Sequence, residues 1–261
     1  MTTDDLDTPL RPAVLNNALF CHAVCRAHGL PADFDDESLW LSTSRTPPLY
    51  PDAVTLGPGA PEEGLLRRMD TDSPGCSVKD SFADLDLEGD GFEVLFDAQW
   101  IHRPAGAPTA GAPSSGLEWS EVAGGGELAL WEAAWDGEES TGLFRPVLLG
   151  EEIAFLAGRR DGRIVAGAAL NLAAGVVGVS NLFAHDDADT DAAWTGALAA
   201  AAARWPGRDV VGYESGDDLA TAVRHGFTPI GPLRVWLRTS ERTRRLDVQP
   251  AARVDRMNSA R

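Results

Sequence analysis

Basic residues are scarce in this sequence, and lysine is almost absent. The 261 residues include 22 that are Lys or Arg, and Lys79 is the only lysine among them. The 40 acidic residues leave a formal net charge of −18 at pH 7. Nucleic-acid binding needs a basic face that neutralises phosphates, so this charge excludes nucleic acid as an expected partner. It also disfavours a polyanionic cofactor and favours a cationic small molecule such as an amine.

Long apolar runs are also missing. The longest candidate, 164–179, is interrupted by Gly167, Asn171 and Gly175, whereas a membrane-spanning helix needs roughly 20 successive apolar residues. The first residues are acidic, beginning with Asp4, so no secretory signal is visible. We therefore expect a cytoplasmic protein without a membrane partner.

The three cysteines are too few for a disulfide framework. Cys21, Cys25 and His28 are spaced so that they share one face of a helix, and this spacing permits metal ligation. The same positions also continue the apolar face that Val14 and Ala18 begin, and a free cysteine packs as a small hydrophobic residue. Because no fourth ligand is evident, the sequence predicts a buried helix face and no metal site.

A segment of small residues and proline divides the chain. Residues 103–115 read RPAGAPTAGAPSS, without apolar periodicity, and predict a linker. The sequence thus predicts an N-terminal domain over 1–102 and a C-terminal domain over 116–238. Residues 239–261 are polar and predict a flexible tail. The arginines of this tail, whose role the sequence does not indicate, are Arg242, Arg244, Arg245, Arg253, Arg256 and Arg261.

The second half has a clear order of elements. A helix, ELALWEAAW, precedes two strands that Asp161-Gly162 joins as a hairpin. A third strand, an alanine-rich helix, a short buried strand, a further helix and two last strands around Gly231-Pro232 follow. Three stretches resemble the GNAT family of N-acetyltransferases: FLAGRRDGRIVAGAAL as its second and third strands, VGVSNLFA as its fourth, and YESGDDLATAVRHGFTPIG as its fifth strand, next helix and Gly-Phe. The resemblance covers residues 117–238.

This resemblance implies an α/β fold with a central mixed sheet flanked by helices. It also implies an enzyme, an acyl-CoA-dependent N-acyltransferase acting on a small amine, with acetyl-CoA or another acyl-CoA as the cofactor. Whether such a protein acts as a homodimer is left open by the sequence.

The first half repeats the order in shortened form. VKDSF, which contains Lys79, matches GYESG, which contains Tyr213, and Gly91-Phe92 matches Gly226-Phe227. The sequence therefore predicts two tandem GNAT-like domains, each with a central mixed sheet, of which the N-terminal one is degenerate. An unrelated α/β cap on a single GNAT domain is the alternative. Lys79 is interpreted as a solvated side chain, with a role in the site as the alternative.

The loop that binds the cofactor phosphates in this family is missing. The family pattern, Q/R-x-x-G-x-G/A, places glycines and backbone N–H groups at a helix N-terminus, where they hold the pyrophosphate. Thr190, Ala193 and Thr195 occupy those positions here, after a run of aspartates. We therefore expect any coenzyme A to bind weakly, because carboxylates beside a pyrophosphate cost binding energy. The positions that the resemblance assigns to the cofactor are Phe183, Ala184, Ala193, Trp194, Thr195 and Gly196.

The missing loop keeps two alternatives open. The chain could have lost acetyl transfer and act as a metabolite-binding protein, a partner subunit or a catalyst of different chemistry in the same cleft. It could also take its acyl group from pantetheine on a carrier protein, a donor that has no adenosine diphosphate moiety.

The candidate catalytic residues lie at the carboxyl ends of the fourth and fifth strands. The family often has a tyrosine where this sequence has Ala222, so Tyr213 is the candidate that protonates the leaving thiolate. Glu214, or Ser180 and Asn181, is the candidate that contacts or deprotonates the amine. These polar residues interrupt strands that are otherwise apolar, which predicts a cleft between them.

Overall fold

The computed structural model describes residues 8–35, 38–108, 116–137 and 140–239, which form five α-helices and eleven β-strands. The helices are α1 (Leu10–Ala27), α2 (Glu62–Leu66), α3 (Gly125–Asp136), α4 (Thr190–Arg204) and α5 (Gly216–Arg224). The strands are β1 (Ala32–Asp35), β2 (Leu39–Ser42), β3 (Ala53–Thr55), β4 (Ser77–Asp80), β5 (Phe92–Arg103), β6 (Glu118–Glu121), β7 (Ile153–Arg160), β8 (Arg163–Ala173), β9 (Val176–Ala184), β10 (Val210–Glu214) and β11 (Thr228–Arg238). Among these elements, no helix combines the length and the apolar character that crossing a membrane requires.

The strands belong to one mixed sheet, in the order β1-β2-β3-β4-β11-β5-β10-β9-β8-β7-β6. β5 comes from the first half of the chain, yet it lies antiparallel between β10 and β11 of the second half. β11 in turn lies antiparallel between β4 and β5 of the first half. A mixed sheet flanked by helices is what the sequence predicted for each half. The two sheets are joined into one because each long strand satisfies backbone hydrogen bonds of the other half.

The two exchanged strands begin in the same way. Gly91 and Gly226 both have left-handed backbone angles, with φ of 81° and 88°. Each ends a helical turn with the paired hydrogen bonds of a Schellman motif, which favours glycine because of its positive φ. The N–H groups of Phe92 and Phe227 donate to the carbonyls five residues earlier, and those of the two glycines donate to the carbonyls three residues earlier, all at 3.0 to 3.2 Å. The two Gly-Phe pairs therefore match in backbone structure as well as in sequence.

Each half also contains one pair of parallel strands, β3 with β4 and β9 with β10. Each ladder covers two residue pairs, which are Ala53–Val78 and Val54–Lys79 in the first half and Val177–Val210 and Gly178–Val211 in the second. β9 and β10 continue beyond these pairs without pairing to one another. We call this separation of β9 from β10 the second-half splay.

Helices cover both faces of the sheet. α1 and α3 lie on one face, over a core that includes Trp40, Trp100 and Trp131. α4 and α5 lie on the opposite face of the second half, where Trp194 is buried. α2 covers that opposite face in the first half, where it contributes Leu65. Because side chains alternate along a strand, consecutive strand residues contribute to different cores.

α1 belongs to the first half but packs on strands of the second half. The Asn16 amide donates to the backbone carbonyls of Asn171, Ala173 and Val176 at 3.1 to 3.2 Å. The Asn171 side chain donates to the Asn16 carbonyl at 3.3 Å. Gly178 lies beneath this contact, and a Cβ there would overlap the amide oxygen of Asn16. These hydrogen bonds hold α1 against the end of the β8–β9 hairpin.

The cysteines of α1 lie on its buried face, as predicted. Cys21 and Cys25 are 2% and 0% exposed, and burial raises the pKa of the Cys25 thiol to about 12. His28 instead places its Nε2 2.8 Å from the carbonyl oxygen of Leu143. In the ranges that the structure covers, no three His, Cys, Asp or Glu side chains are grouped so that they could hold a metal ion.

Two of the predicted element boundaries bear on the domain division and differ from the observed ones. Arg103, predicted as the first linker residue, is the buried last residue of β5, and its Nε donates to the His225 carbonyl at 2.9 Å. The two strands predicted around Gly231-Pro232 form the single strand β11, which has a register shift between Pro229 and Gly231. Residues 109–115 of the linker and 240–261 of the tail lie outside the described residues. The division into domains at these boundaries stays a prediction.

Candidate active site

The second-half splay begins beyond Gly178 and Val211. Asn181, three residues further along β9, has a left-handed φ of 51°, which asparagine tolerates better than most residues. The register between β8 and β9 shifts here, between Gly167 and Ala169, as in a β-bulge. A bulge bends its strand. We therefore attribute the separation of β9 from β10 to the conformation at Asn181.

A small pocket lies at this splay. Its volume is about 70 Å³, and Lys79, Asn181 and Tyr213 supply polar groups to its lining. The other lining residues are Leu49, Pro51, Ser77, Phe96, Trp135 and Val235. The structure thus brings together Asn181 and Tyr213, which the sequence predicted to face one cleft, and adds a lysine from the first half.

Lys79 is buried at this pocket, with 5% of its surface exposed. Its Nζ lies 3.4 Å from the hydroxyl oxygen of Tyr213 and 4.5 Å from the centroid of the Tyr213 ring. The same Nζ donates to Oδ1 of Asn17, on α1, at 2.7 Å. The interpretation of Lys79 as a solvated side chain was wrong, because β4 is an interior strand and α1 covers this part of it.

Two aromatic residues surround Tyr213 on the same side of the sheet. Trp100 packs edge-on against it, with ring centroids 5.6 Å apart. Tyr50, the other tyrosine of the chain, is buried, and its hydroxyl has no hydrogen-bond partner among the described residues. Burial, followed by the proximity of Cys21 and Tyr213, raises the pKa of Tyr50 well above its ordinary value. Tyr50 is therefore a neutral neighbour of the site.

Glu214 points away from the pocket. It follows Tyr213 on β10, and consecutive strand residues point to opposite faces of a sheet. Tyr213 packs on the α1 side, so the side chain of Glu214, 5% exposed, lies on the side of α4 and α5. The structure therefore does not bring Glu214 into one cleft with Tyr213 and Asn181. Ser180 precedes Asn181, and its Oγ is buried without a hydrogen-bond partner in the part of the chain that the structure covers.

Phe183 and Ala184, which the resemblance assigns to the cofactor arm, pair with Gly167 and Ala166 of β8. The ring of Phe183 packs on Trp131, with centroids 5.4 Å apart. These contacts fix the strand from the β8 side. The opposite edge of β9 faces β10 across the splay.

The other residues that the resemblance assigns to the cofactor are packed inside the protein. Ala193 and Trp194 are 0% and 1% exposed. Gly196 lies against the indole of Trp119, and a Cβ on Gly196 would come within 2.5 Å of that ring. Thr195 donates its hydroxyl to the carbonyl one turn earlier at 2.9 Å. The absence of a side chain at Gly196 therefore makes room for an indole.

The amino end of α4 is occupied by carboxylates of the protein itself. Asp189, 4% exposed, accepts a hydrogen bond from Arg160 at 2.7 Å. Asp191 lies 2.9 Å from Nε2 of His225, and this hydrogen bond, helped by Arg224, lowers the pKa of Asp191. A helix N-terminus attracts negative charge, and two carboxylates lie beside this one, although Asp189 makes no capping hydrogen bond to α4. A pyrophosphate there would face these carboxylates, which disfavours its binding.

The sequence did not identify Asn17, which contacts Lys79, or the lining residues Leu49 and Trp135. Asn17 comes from α1, Leu49 from the loop before β3, and Trp135 from α3. The helical spacing around Trp135 indicates a buried helix face and nothing more. Only the packing of α1 and α3 on the same face of the sheet brings Asn17 and Trp135 near Tyr213.

Solved structures of GCN5-related N-acetyltransferases have the same architecture. One from Kribbella flavida has a TM-score of 0.60 and 17% identity, over 87% of this chain and 97% of that chain. A GCN5-related N-acetyltransferase-like protein from Streptococcus suis 89/1591 has a TM-score of 0.53 and 14% identity, over 83% and 93% of the two chains. A functionally unknown conserved protein from Staphylococcus epidermidis ATCC 12228 has a TM-score of 0.57 and 10% identity, over 80% and 94%.

Identities this low show the fold alone, and the coverage includes both halves of the chain. No protein-family model matches the sequence, and no curated protein matches it significantly. The chain therefore has the fold of the GNAT N-acetyltransferases, and the predicted resemblance is confirmed at the level of fold.

Proposed function

We propose that this chain is an acyltransferase that moves an acyl group from a pantetheine thioester, such as acyl-CoA, to a small amine. The observation that carries this proposal is the second-half splay, which opens beside Tyr213 and Lys79. Such an enzyme has to hold an extended thioester arm and has to give a proton to the thiolate that leaves. The splay offers a place for the arm, and Tyr213 offers the proton.

The β10-facing edge of β9 supports the placement of the arm. A pantetheine arm is extended and contains amide groups, and a strand edge offers N–H and C=O groups that can pair with them. Phe183 and Ala184 would provide this edge, since their β8 side is already paired. The thioester end would lie at the pocket, whose volume of about 70 Å³ leaves room for a short acyl group.

Tyr213 supplies the proton in this proposal. An ammonium group has donors but no acceptor, so the phenol oxygen accepts in the contact with Lys79. The hydrogen of the phenol is then available to the sulfur. When the amine attacks the thioester carbonyl, a C–N bond forms, the C–S bond breaks, and the thiolate takes the proton of Tyr213. The proton that the amine nitrogen loses restores the hydroxyl.

A small amine is the acceptor that the charge of the protein favours. The net charge of −18 attracts ammonium ions toward the molecule. At the pocket, the amide oxygen of Asn181 can accept an N–H group of the attacking amine. The amine attacks in its neutral form, so its ammonium form first releases one proton to solvent.

The proposal places donor recognition on the pantetheine arm rather than on the phosphates. Asp189 and Asp191 lie at the amino end of α4. Ala193 is buried, and the indole of Trp119 fills the space beside Gly196. A donor without an adenosine diphosphate moiety, including pantetheine on a carrier protein, would therefore lose little affinity relative to acyl-CoA.

Calorimetry with S-acetylpantetheine and with acetyl-CoA tests this proposal, together with thiol release in the presence of a panel of primary amines. We expect the two donors to bind within about fivefold of each other, or ~1 kcal/mol, and thiol release to require an amine. If neither donor binds at about 1 mM, ~−4 kcal/mol, and no amine promotes thiol release, the proposal is rejected. Sub-micromolar binding of acetyl-CoA alone would instead reject the argument about the phosphates and leave acyl transfer standing.

A further inference from the structure

We infer that Lys79 is a positioning residue of the acyl-transfer site, which acts by holding the hydroxyl of Tyr213 as a proton donor and by stabilising its phenolate. This inference rests on the proposed function. It assigns a catalytic purpose to the first half of the chain, whose strand β4 carries Lys79.

The surroundings of Lys79 are unusual for a lysine. It is 5% exposed, and no carboxylate of the described chain lies within 4.0 Å of its Nζ as an ion-pair partner. Burying an ammonium group without a carboxylate is unfavourable. The partners that Lys79 does have, the Asn17 amide oxygen and the Tyr213 hydroxyl, are neutral. A buried cation with neutral partners can stabilise a negative charge that forms next to it.

The geometry gives the two partners different roles. The 2.7 Å hydrogen bond to Asn17 is short and fixes the end of the lysine chain against α1. The 3.4 Å contact with Tyr213 is long, so it leaves room to shorten when the phenol oxygen becomes negative. Nζ also lies 4.5 Å from the ring centroid, close enough for a cation–π attraction that keeps the ring in place.

The negative charge forms during collapse of the tetrahedral adduct. The C–S bond breaks, the sulfur takes the hydrogen of Tyr213, and a phenolate remains until the proton from the amine returns to it. A positive charge next to that oxygen favours its ionised form, and a charge-assisted hydrogen bond is stronger than a neutral one. Lys79 therefore lowers the cost of the proton transfer through its contact with Tyr213.

Lys79 and Tyr213 occupy matching positions of the two halves. Lys79 pairs with Val235 of β11, and Tyr213 pairs with Trp100 of β5. Val235 and Trp100 each lie eight residues after the phenylalanine of their own Gly-Phe pair. The strand exchange places the two positions on the same face of one sheet, with β11 and β5 between them, where the side-chain ends meet. Neither half alone contains both residues.

A double-mutant cycle tests the inference on the full chain, with thiol release from S-acetylpantetheine and the most active amine of the panel as the assay. We expect Lys79→Met to lower kcat by roughly tenfold or more, with the KM for the donor unchanged. Lys79→Arg, which keeps the charge, should recover part of the loss. In the Tyr213→Phe background, Lys79→Met should have no further effect, because the hydroxyl on which it acts is gone. Arg68→Met, which removes an exposed positive charge from the same half, serves as the control.

Nuclear magnetic resonance provides a readout that does not depend on activity. Selective isotope labelling of lysine gives the side-chain signals of one residue, because Lys79 is the only lysine. We expect the methylene signals next to Nζ to be displaced by the Tyr213 ring, to lose that displacement in Tyr213→Leu, and to move when S-acetylpantetheine is added. This measurement uses the unaltered Lys79 side chain, so it holds even if Lys79→Met fails to fold.

The outcomes separate the two proposals. Donor binding and turnover with additive effects of Lys79→Met and Tyr213→Phe would overturn the role of Lys79 while the proposed function stands. The role of Lys79 is also overturned if S-acetylpantetheine binds and the Lys79 signals do not move. If neither S-acetylpantetheine nor acetyl-CoA binds, the proposed function fails first, and this inference fails with it.

Discussion

The Nζ of Lys79, from the first half of the chain, lies 3.4 Å from the hydroxyl of Tyr213, from the second half. Two aligned pentapeptides of the sequence, VKDSF and GYESG, contain these residues at the same place. Both halves of the chain therefore contribute to one pocket.

Tyr213→Phe should lower thiol release by roughly 100-fold, because it removes the proton donor for the thiolate. Donor affinity measured by calorimetry should change by less than about threefold, since the ring and its packing on Trp100 remain. Tyr50→Phe is the matched control, because Tyr50 is the only other tyrosine and its hydroxyl makes no hydrogen bond within the described residues. Equal turnover in both variants would remove Tyr213 from the mechanism.

Glu214→Gln should leave turnover within about threefold of the unaltered protein, because the side chain lies on the face of the sheet opposite to Tyr213. The sequence had predicted this glutamate as a candidate general base, and removing a general base lowers turnover by roughly 100-fold or more. Thiol release distinguishes these two expectations, provided that circular dichroism shows the variant to be folded. A loss of about 100-fold would restore Glu214 to the mechanism.

Asp189→Asn should strengthen the binding of acetyl-CoA and leave the binding of S-acetylpantetheine unchanged. The change removes a negative charge from the amino end of α4 and frees Arg160 from this ion pair. We expect a gain of ~1 kcal/mol at low salt, which decreases as salt is added. Asp90→Asn, an equal change of charge at an exposed position of the first half, is the control. An equal gain for both donors would show that the effect is not at the phosphates.

Asn16→Ala should lower the free energy of unfolding by ~1–3 kcal/mol. The side-chain amide donates to three backbone carbonyls of the β8–β9 hairpin. In the variant, these carbonyls lose the Asn16 donor at a position that α1 covers. Urea unfolding measures the loss. Leu15→Ala, at the neighbouring and partly exposed position of the same helix, should cost less. If both variants unfold at the same urea concentration, α1 is held by its apolar face alone.

Glu132→Gln should destabilise the protein at pH 7, and the difference should shrink in acid. Glu132 is 1% exposed and accepts hydrogen bonds from the N–H groups of Thr141, Leu143 and Phe144 at 2.7 to 3.1 Å. Burial acts to raise the pKa of Glu132, but these hydrogen bonds together outweigh it, so the pKa is lowered from the ordinary 4.5. A carboxyl group whose pKa is lowered by folding stabilises the fold above the unfolded pKa and loses that contribution as the pH falls through the folded pKa.

Urea unfolding at a series of pH values measures this dependence. We expect a difference of ~1–3 kcal/mol between Glu132→Gln and the unaltered protein at pH 7, and a decreasing difference below a pH of about 4.5. Glu118→Gln, at an exposed position of β6, should show neither effect. A difference that stays constant with pH would mean that the shape of the side chain matters, rather than its charge.

Much of the secondary structure followed from local patterns. Val176–Ala184 is the strand that the sequence predicted, and Asp161-Gly162 forms the predicted hairpin turn with φ of 51° and 76°. Turn residues and side-chain periodicity act over a few residues, so they can be interpreted without the rest of the chain. β1 and β6 were not predicted, because four residues with mostly exposed or half-buried side chains give no clear alternation.

The candidate site could be predicted only in part. The polar residues Asn181 and Tyr213 interrupt apolar strands, and that local signal located two members of the pocket. Glu214 carried the same signal, but the alternation of side chains along β10 placed it on the other face. Trp135 and Asn17 carried no signal of a site, since each is an ordinary member of an amphipathic helix until that helix is docked.

The sequence by itself determined the order of most elements, the acidic charge, the absence of a phosphate-loop pattern and the correspondence of the two Gly-Phe pairs. Each of these is a property of neighbouring residues. Only the tertiary structure decided that β5 and β11 exchange places in one sheet. A strand has the same pattern of alternating side chains whichever strand it pairs with, so the pattern does not select the partner. The exchange placed Lys79 beside Tyr213, and contact between residues so far apart in the chain depends on the packing of the whole sheet and α1.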